Sequence, residues 1–366
     1  MTRAEIRAQV GPQEQFLSCN ADVVFYGGSA GGGKTYALLL NPLYHVDNSK
    51  FGAVTFRRTT KQVRSEGGLW DTAEDLYSAI GAKPNQQDLH FTWPSGARHT
   101  FAHMEHEKNR LDWQGAQIPL IQFDELTHFT WKQFSYMLSR NRSVSGVPGR
   151  IRATLNPDPD HWARRFIDWW IGDDGYAIQE RSGVIRYFAV VGDDVIWGDT
   201  REELQEKHES CLPKSFTFIR SRLEDNQILM DADPGYRANL EALPRVERAQ
   251  LMDGNWNVRP SAGLYFVRSD FEIVDIAPPV KRWVRAWDQA GTKKDGDSSD
   301  PDWTAGVKMG ITEDGRYVIG HVERFRENPS TVDRRIKNTA EADGRGIKIR
   351  LAQDPGQAGK SQASSQ

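Results

Sequence analysis

The 366-residue chain holds only two cysteines, Cys19 and Cys211, too few for a disulfide framework or a cysteine-built zinc site. No stretch approaches the roughly 18 uncharged apolar residues that a membrane span needs. The N-terminus, Met1-Thr2-Arg3-Ala4-Glu5-Ile6-Arg7, lacks the apolar run of a secretory signal. An excess of positive charge is missing as well: 47 Lys and Arg against 50 Asp and Glu leave a formal net charge of −3. The chain is therefore not a globally basic nucleic-acid coat. Internal repeats are also missing. These absences exclude a membrane protein, a secreted scaffold and a zinc-finger protein, and leave an intracellular, soluble one. With 38% hydrophobic and 27% charged residues the chain can bury a core. At about 150 residues per domain, its length allows two domains.

Short apolar runs separated by helix-compatible segments dominate the first half. Val23 to Tyr26, Phe51 to Phe56, Pro119 to Phe123 and Ile151 to Leu155 each end at glycines or polar residues, as buried parallel strands do. Leu89 to Trp93 and Arg98 to His103 flank Pro94-Ser95-Gly96 and predict a hairpin. The pattern is that of an α/β fold with a parallel-type sheet and ligands at the strands' carboxyl ends. From about 195 to 258 the sequence reads as helical and charged, with helices over Arg201 to His208 and Arg237 to Asp253. The turn-forming string Arg259-Pro260-Ser261-Ala262-Gly263 marks a domain boundary, giving domains over 1–258 and 263–366. Beyond it, Trp283 to Trp287 predicts a strand ending at Asp288. A hairpin around Glu313-Asp314-Gly315, a helix over 331–343 and a strand from Ile347 to Ala352 follow.

Gly28-Ser29-Ala30-Gly31-Gly32-Gly33-Lys34-Thr35 fits the phosphate-loop pattern between an apolar strand and a helical segment. Glycines let successive backbone N–H groups turn inward toward phosphate oxygens, and the helix beginning near Lys34 adds its positive end. Lys34 would reach the β- and γ-phosphates, and the Thr35 hydroxyl would ligate Mg²⁺. The run Leu120 to Phe123 ends in adjacent carboxylates. Asp124 is placed to hold the Mg²⁺ shell and Glu125 to polarise an attacking water. A kinase has little use for Glu125, so the pair favours a mechanical NTPase that hydrolyses ATP. Thr154 or Asn156, in Thr154-Leu155-Asn156-Pro157, is a candidate γ-phosphate sensor. Gln13, with Gln15 as a rival, is a candidate reader of adenine.

Arg57 and Arg58 could stabilise transition-state charge or contact a nucleic-acid backbone. Two stretches carry bases and no acid: Arg57, Arg58, Lys61 and Arg64, then Lys132, Arg140, Arg142, Arg150 and Arg152. Such clusters can grip DNA phosphates. The nearby Trp131, Phe134 and Tyr136 read as core. In the second domain, Asp288 and Asp354 end apolar strands, with Asp300 and Asp302 between them. Acids at adjacent strand ends can hold two Mg²⁺ or Mn²⁺ ions about 4 Å apart and cleave phosphodiesters.

Taken together, Gln13, the loop from Gly28 to Thr35, Phe123-Asp124-Glu125 and Thr154-Leu155-Asn156-Pro157 resemble the large subunit of tailed-bacteriophage terminases. Leu111-Asp112-Trp113-Gln114-Gly115 and Leu251-Met252-Asp253-Gly254-Asn255-Trp256 are similar to that family too. The segments Trp287 to Thr292, Asp302 to Gly306 and Asp354 to Lys360 resemble its ribonuclease-H-like nuclease domain. The resemblance implies an ASCE-type P-loop ATPase, with a helical lid at about 195–258, that pumps double-stranded DNA into a procapsid through a portal. It also implies a metal-dependent nuclease that cuts the concatemer. Carried over, Lys34 and Thr35 hold phosphates and Mg²⁺, Asp124 is the metal-side acid, Glu125 is catalytic and Asn156 falls in the coupling motif. Asp288 and Asp354 become nuclease metal ligands, with Asp302 in the same set. Implied partners are double-stranded DNA, a small subunit, the portal and further copies of the chain, in the cytoplasm of a host cell and away from any membrane. The family's nuclease continues to a third acid, whereas this chain stops twelve residues after Asp354. A C-terminally truncated nuclease domain with weak or absent cleavage is the expectation. A helicase-like translocase, or a non-catalytic assembly factor or prophage remnant, are the competing readings.

Overall fold

A computed structural model describes residues 6–192, 194–259, 271–289, 303–327 and 329–351. The chain divides into two units, Met1–Ala262 and Gly263–Gln366. Ten strands build the first: β1 (Val23–Gly28), β2 (Gly52–Arg57), β3 (Lys83–Asn85), β4 (His90–Thr92), β5 (Arg98–His103), β6 (Leu120–Phe123), β7 (Arg150–Leu155), β8 (Arg186–Val191), β9 (Asp194–Gly198) and β10 (Lys214–Ser221). They form one sheet in the order β3-β4-β5-β2-β6-β7-β1-β10-β8-β9. From β5 to β10 every neighbouring pair is parallel, and antiparallel strands close both edges.

Parallel strands need both faces covered, and β1 shows how the sequence meets that demand. Val24 and Tyr26 point into a core with Phe16, Leu38 and Tyr77. Val23 and Phe25 point into an opposite core with Phe123, Phe134 and Trp256. All six residues of β1 are therefore buried. Among the aromatics read as core, Phe134 is fully buried, and Trp131 and Tyr136 pack partly buried against the same cluster.

The strands expected near β1, β2, β6 and β7 and the hairpin of β4 and β5 are present. The reading of 195–258 as helical is corrected. β9 lies inside it, and β10 pairs with β1 along that strand's whole length, from Val23 opposite Phe216 to Gly28 opposite Ser221. The β-prone run Phe216-Thr217-Phe218-Ile219 is short and its flanks are charged, so its two-face burial is invisible to periodicity. The helix expected over Arg237 to Asp253 is two helices, Tyr236–Glu241 and Arg245–Leu251. Pro244, which offers no N–H and cannot continue a helix, separates them.

A buried polar chain crosses the sheet beneath the strand tips. The Gln122 amide on β6 donates to the Leu38 carbonyl at 2.8 Å, and its oxygen accepts from Thr55 of β2 at 2.7 Å. Thr55 meets His99 Nε2 at 2.7 Å, and the Tyr77 hydroxyl lies 3.1 Å from His99 Nδ1 and donates to Leu39 at 2.7 Å. Burial pushes the His99 imidazole down to about 3. The unfolded chain takes up that proton near 6.5, so the fold has its full stability above that pH and loses about 1.4 kcal/mol per unit below it. Urea midpoints are expected to fall between pH 6.5 and 5, and to fall less steeply in His99→Gln. Equal slopes in the two proteins would contradict the assignment.

The second unit holds β11 (Val280–Asp288), β12 (Thr304–Thr312), β13 (Tyr317–Phe325), a helix Pro329–Asp343 and β14 (Lys348–Leu351). The sheet order is β13-β12-β11-β14, with the first three antiparallel and β14 parallel to β11. Trp287 and Phe325 pack against Val332 and Ile336 of the helix. The buried guanidinium of Arg285 is held by Asp343, with the second contact at 3.0 Å.

Candidate active site

β1 delivers the chain into the glycine loop, whose shape is imposed from outside. Gly28 has φ 142°, and a Cβ there would stand 2.0 Å from the Ser221 carbonyl oxygen at the tip of β10. Gly33 has φ 71°, and a Cβ there would stand 2.3 Å from Gln13 Nε2. Only glycine meets both demands. Side chains hold the loop's carbonyls: Asn226 donates to Gly31 at 2.6 Å, Tyr26 and Ser221 both to Gly32 at 3.3 Å, and Gln13 to Gly33 at 2.9 Å. Anchoring the carbonyls turns the intervening amides the other way, the concave arrangement that binds anions. The loop is tied at its start by Ser29 N–H to Ser221 O at 3.0 Å and Ala30 N–H to Leu251 O at 2.6 Å. Gln13 also accepts from the backbone amide of Gln9 at 2.9 Å, so one end of its side chain holds the loop and the other the N-terminal segment. Gln15 donates elsewhere, to Ser182 O at 3.2 Å.

Lys34 opens the helix Lys34–Leu40 and is itself buried. Its ammonium folds back onto the Ser29 carbonyl, with Gly28 O at 3.5 Å. Burial pushes the lysine down to about 8, against the pull of Glu125 and then Asp124.

Three strand tips and the loop converge on one carboxylate. Asp124, fully buried just beyond β6, accepts at Oδ1 from Thr154 at 2.6 Å and from Thr35 at 3.1 Å. At Oδ2 it accepts from Arg57 Nε at 2.7 Å, and Arg57 at the end of β2 completes a two-pronged ion pair at 2.5 Å. Glu125 follows with φ 61°, a left-handed conformation that costs a non-glycine residue energy and is kept where the surroundings enforce it. The enforcing contacts are its N–H to Thr154 Oγ1 at 3.1 Å and Asn156 Nδ2 to its carboxylate at 2.9 Å. Burial first, and the Asp124 charge second, raise the Glu125 carboxyl, while Lys34, Arg57 and His128 oppose the rise. Glu125, His128, Asn156, Gln250 and Leu251 line a cavity of about 400 Å³. Asn156 Oδ1 is buried there without a hydrogen-bond partner among the described residues.

The structure thus brings together Gln13, the loop, Lys34, Thr35, Asp124, Glu125, Thr154 and Asn156. Ser221, Asn226 and the Leu251 carbonyl were missed. Ser221 and Asn226 sit in Ser221-Arg222-Leu223-Glu224-Asp225-Asn226, a polar turn string after a strand and so a visible signal once β10 is recognised as one. Asp288 ends β11 opposite Ala305 of β12 and is exposed. Asp300, Asp302 and Asp354 lie outside the described residues, among which no group of three or more His, Cys, Asp or Glu is placed to hold a metal.

The second basic cluster is corrected in one member. Arg152 is fully buried and donates to the carbonyls of Cys19 at 2.8 Å, Ala21 at 3.0 Å and Ile151 at 2.9 Å. It alternates on β7 with Ile151 and Ala153, and its guanidinium satisfies carbonyls of β7 and of the segment leading into β1 instead of facing DNA. Within the first cluster, Arg57 is engaged by Asp124 and Arg58 donates to His128 O at 2.6 Å.

A parallel sheet whose loop strand β1 is separated from its acidic strand β6 by one additional strand, β7, with a glycine loop and a carboxylate pair at the tips, defines a P-loop NTPase fold of the ASCE kind. Residues 25–273 match the family model for the N-terminal part of T4likevirus-type terminase large subunits, and residues 285–365 match that of the terminase RNaseH-like domain. The chain belongs to the terminase large subunit family. Among solved structures it is similar to the large terminase of a thermophilic bacteriophage, at 13% identity, over 98% of this chain and 80% of that one, with a TM-score of 0.48. It is also similar to the large terminase ATPase domain of Thermus phage P74-26, at 10% identity over 68% and 94%, TM-score 0.42. The HK97 bacteriophage large terminase is similar at 12% identity over 96% and 71%, TM-score 0.38. No match was found among curated proteins.

Proposed function

We propose that residues 1–258 form an ATP-hydrolysing motor that drives double-stranded DNA into a procapsid, and that residues 263–366 form its nuclease domain. The observation that carries the reading is the convergence on Asp124: a loop hydroxyl, a threonine of β7 and an arginine of β2 meet there, with Glu125 alongside. The amides of Gly31 to Thr35 cradle the phosphates. Lys34 leaves the Ser29 carbonyl to meet the β- and γ-oxygens, stronger acceptors than a neutral carbonyl. Thr35 and Asp124, whose oxygens lie 3.1 Å apart, are hard donors that suit Mg²⁺. The ion would neutralise charge on the phosphates. Glu125, held by Asn156 at 2.9 Å, accepts a hydrogen bond from the attacking water and aligns it. Thr154 touches both acids and Asn156 one, so either can report loss of the γ-phosphate to β7.

In the nuclease domain Asp288, Asp302 and Asp354 would be the ligands for Mg²⁺ or Mn²⁺, hard carboxylate oxygens suited to such ions. A small subunit, a portal and further copies of this chain complete the motor in the host cytoplasm. No helix among the described residues is long and apolar enough to cross a membrane. The test is phosphate release by the full chain with ATP and Mg²⁺, with and without duplex DNA and a small-subunit partner. Hydrolysis that duplex DNA stimulates is expected. Failure of ATP to bind in calorimetry would overturn the proposal.

A further inference from the structure

A second cavity, of about 410 Å³, opens beside the start of the glycine loop and shares no lining residue with the cavity of Glu125. Gly28 and Ser29 line it together with Arg220 and Arg222 at the β10 tip, Arg237 and Trp256. Its charge is unevenly satisfied. Arg237 is paired with Glu224 at 3.2 Å and with Glu241 at 3.5 Å. Arg222 forms no ion pair among the described residues. Arg220 Nη1 is buried without a hydrogen-bond partner, and so is the indole Nε1 of Trp256. A buried donor with no acceptor is destabilising, and native folds rarely keep two around one cavity unless something else supplies the acceptor. Asp253 is the remaining acid of the lining, and no hydrogen bond joins it to either arginine among the described residues.

We infer that this cavity is a second oxyanion site, built for a phosphate group held by Arg220 and Arg222 and distinct from the glycine loop's own. Both buried polar atoms of the lining that lack a hydrogen-bond partner among the described residues are donors, and paired guanidiniums match the oxygens of a tetrahedral dianion better than those of a neutral acceptor. The volume exceeds that of a bare ion and leaves room for the body of a phosphate-bearing molecule. Occupancy has a mechanical consequence. The cavity lies between the β10 tip, whose Ser221 O ties the loop at Ser29 N–H at 3.0 Å, and the segment Met252–Gly254, which directly follows Leu251, whose O ties the loop at Ala30 N–H at 2.6 Å. A phosphate drawing the arginines inward shifts the backbone that anchors the loop. That consequence rests on the motor reading; the site itself does not.

The test uses the full chain carrying Lys34→Ala, so that the loop's own phosphate binding is weakened. Inorganic phosphate is titrated by calorimetry and by thermal shift, and a short DNA duplex is titrated in parallel. Phosphate is expected to bind and raise the melting temperature, with affinity about tenfold weaker in Arg222→Gln and lost in Arg220→Gln/Arg222→Gln. Arg222 is exposed, so its variant keeps the fold even if the double variant does not. A duplex response lost in the same variants identifies a nucleic-acid backbone as the source; a response to inorganic phosphate alone identifies free phosphate. No response to either, or responses unchanged in Arg222→Gln, overturns the inference. ATP binding to the wild-type chain, measured alongside, shows separately whether the motor reading stands.

Discussion

Replacing Glu125 with glutamine is expected to cut ATP turnover about 10²- to 10⁴-fold, the range that a positioned general base contributes, while leaving nucleotide affinity nearly unchanged. The split follows from the geometry. Glu125 makes no hydrogen bond to the loop among the described residues, and its carboxylate is held by Asn156 at 2.9 Å at the rim of the cavity where water would sit. Glutamine preserves volume and can still meet Asn156 through its oxygen, so the loop and Asp124 keep their arrangement. What is lost is the basic oxygen. Burial and Asp124 raise the Glu125 carboxyl, so wild-type turnover should fall with acidity at a higher pH than an ordinary carboxylate would dictate. That acid limb should vanish from the residual activity of Glu125→Gln. Phosphate release across pH, paired with equilibrium binding of a non-hydrolysable ATP analogue, measures both quantities. Wild-type turnover in the variant would remove Glu125 from the mechanism.

Lys34→Ala is expected to weaken ATP binding by about 3 kcal/mol, roughly a hundredfold, because phosphate charge is then enclosed without its counter-ion. The reference state matters. Without nucleotide the Lys34 ammonium rests on the Ser29 and Gly28 carbonyls, with the charges of Asp124 and Glu125 nearby, so nucleotide binding exchanges those carbonyls for phosphate oxygens. With its pKa pushed down to about 8, the lysine of the free protein is charged at neutral pH and discharges in mild alkali. A lowered amine pKa favours the neutral form, so wild-type ATP affinity should decline as pH rises through 8, and the variant's should not. Calorimetric titration at pH 7 and pH 9 checks both statements. Equal affinity of the two proteins at pH 7 would refute the role of the lysine.

Legibility in the sequence followed chain distance. Loop, lysine and threonine lie within eight consecutive residues, and Asp124 adjoins Glu125, so one strand and one turn express their pattern. β1, β2, β6 and β7 were readable because full burial makes continuous apolar runs. β10 was not readable: a strand of the same kind, Phe216 to Ile219, stood among charged residues and was absorbed into a helical stretch. The β11 strand and the β12–β13 hairpin were legible from Trp283 to Trp287 and the turn at Gly315, where local turn chemistry sets the register.

The basic residues teach the opposite lesson. Arg57 and Arg152 look alike in sequence, each in a cluster without acids, yet one clamps Asp124 and the other satisfies buried carbonyls of the segment leading into β1. Charge type is written in the chain, whereas the partner that absorbs the charge comes from another strand.

By itself the sequence determined the chemistry available: a phosphate-binding turn, a pair of acids at a strand end, an α/β alternation and the family these define. Those are local properties, set by residue type and by spacing over a few positions, and they survive without knowledge of the rest of the fold. Only the tertiary structure decided that Thr35, Arg57 and Thr154 share the Asp124 carboxylate, that Ser221 and Asn226 shape a loop some 190 residues away in the chain, and that two arginines at the tip of β10 face a cavity of their own. Such pairings depend on which strands lie side by side, and strand order is fixed by burying both faces of the sheet at once, a condition that no single segment contains.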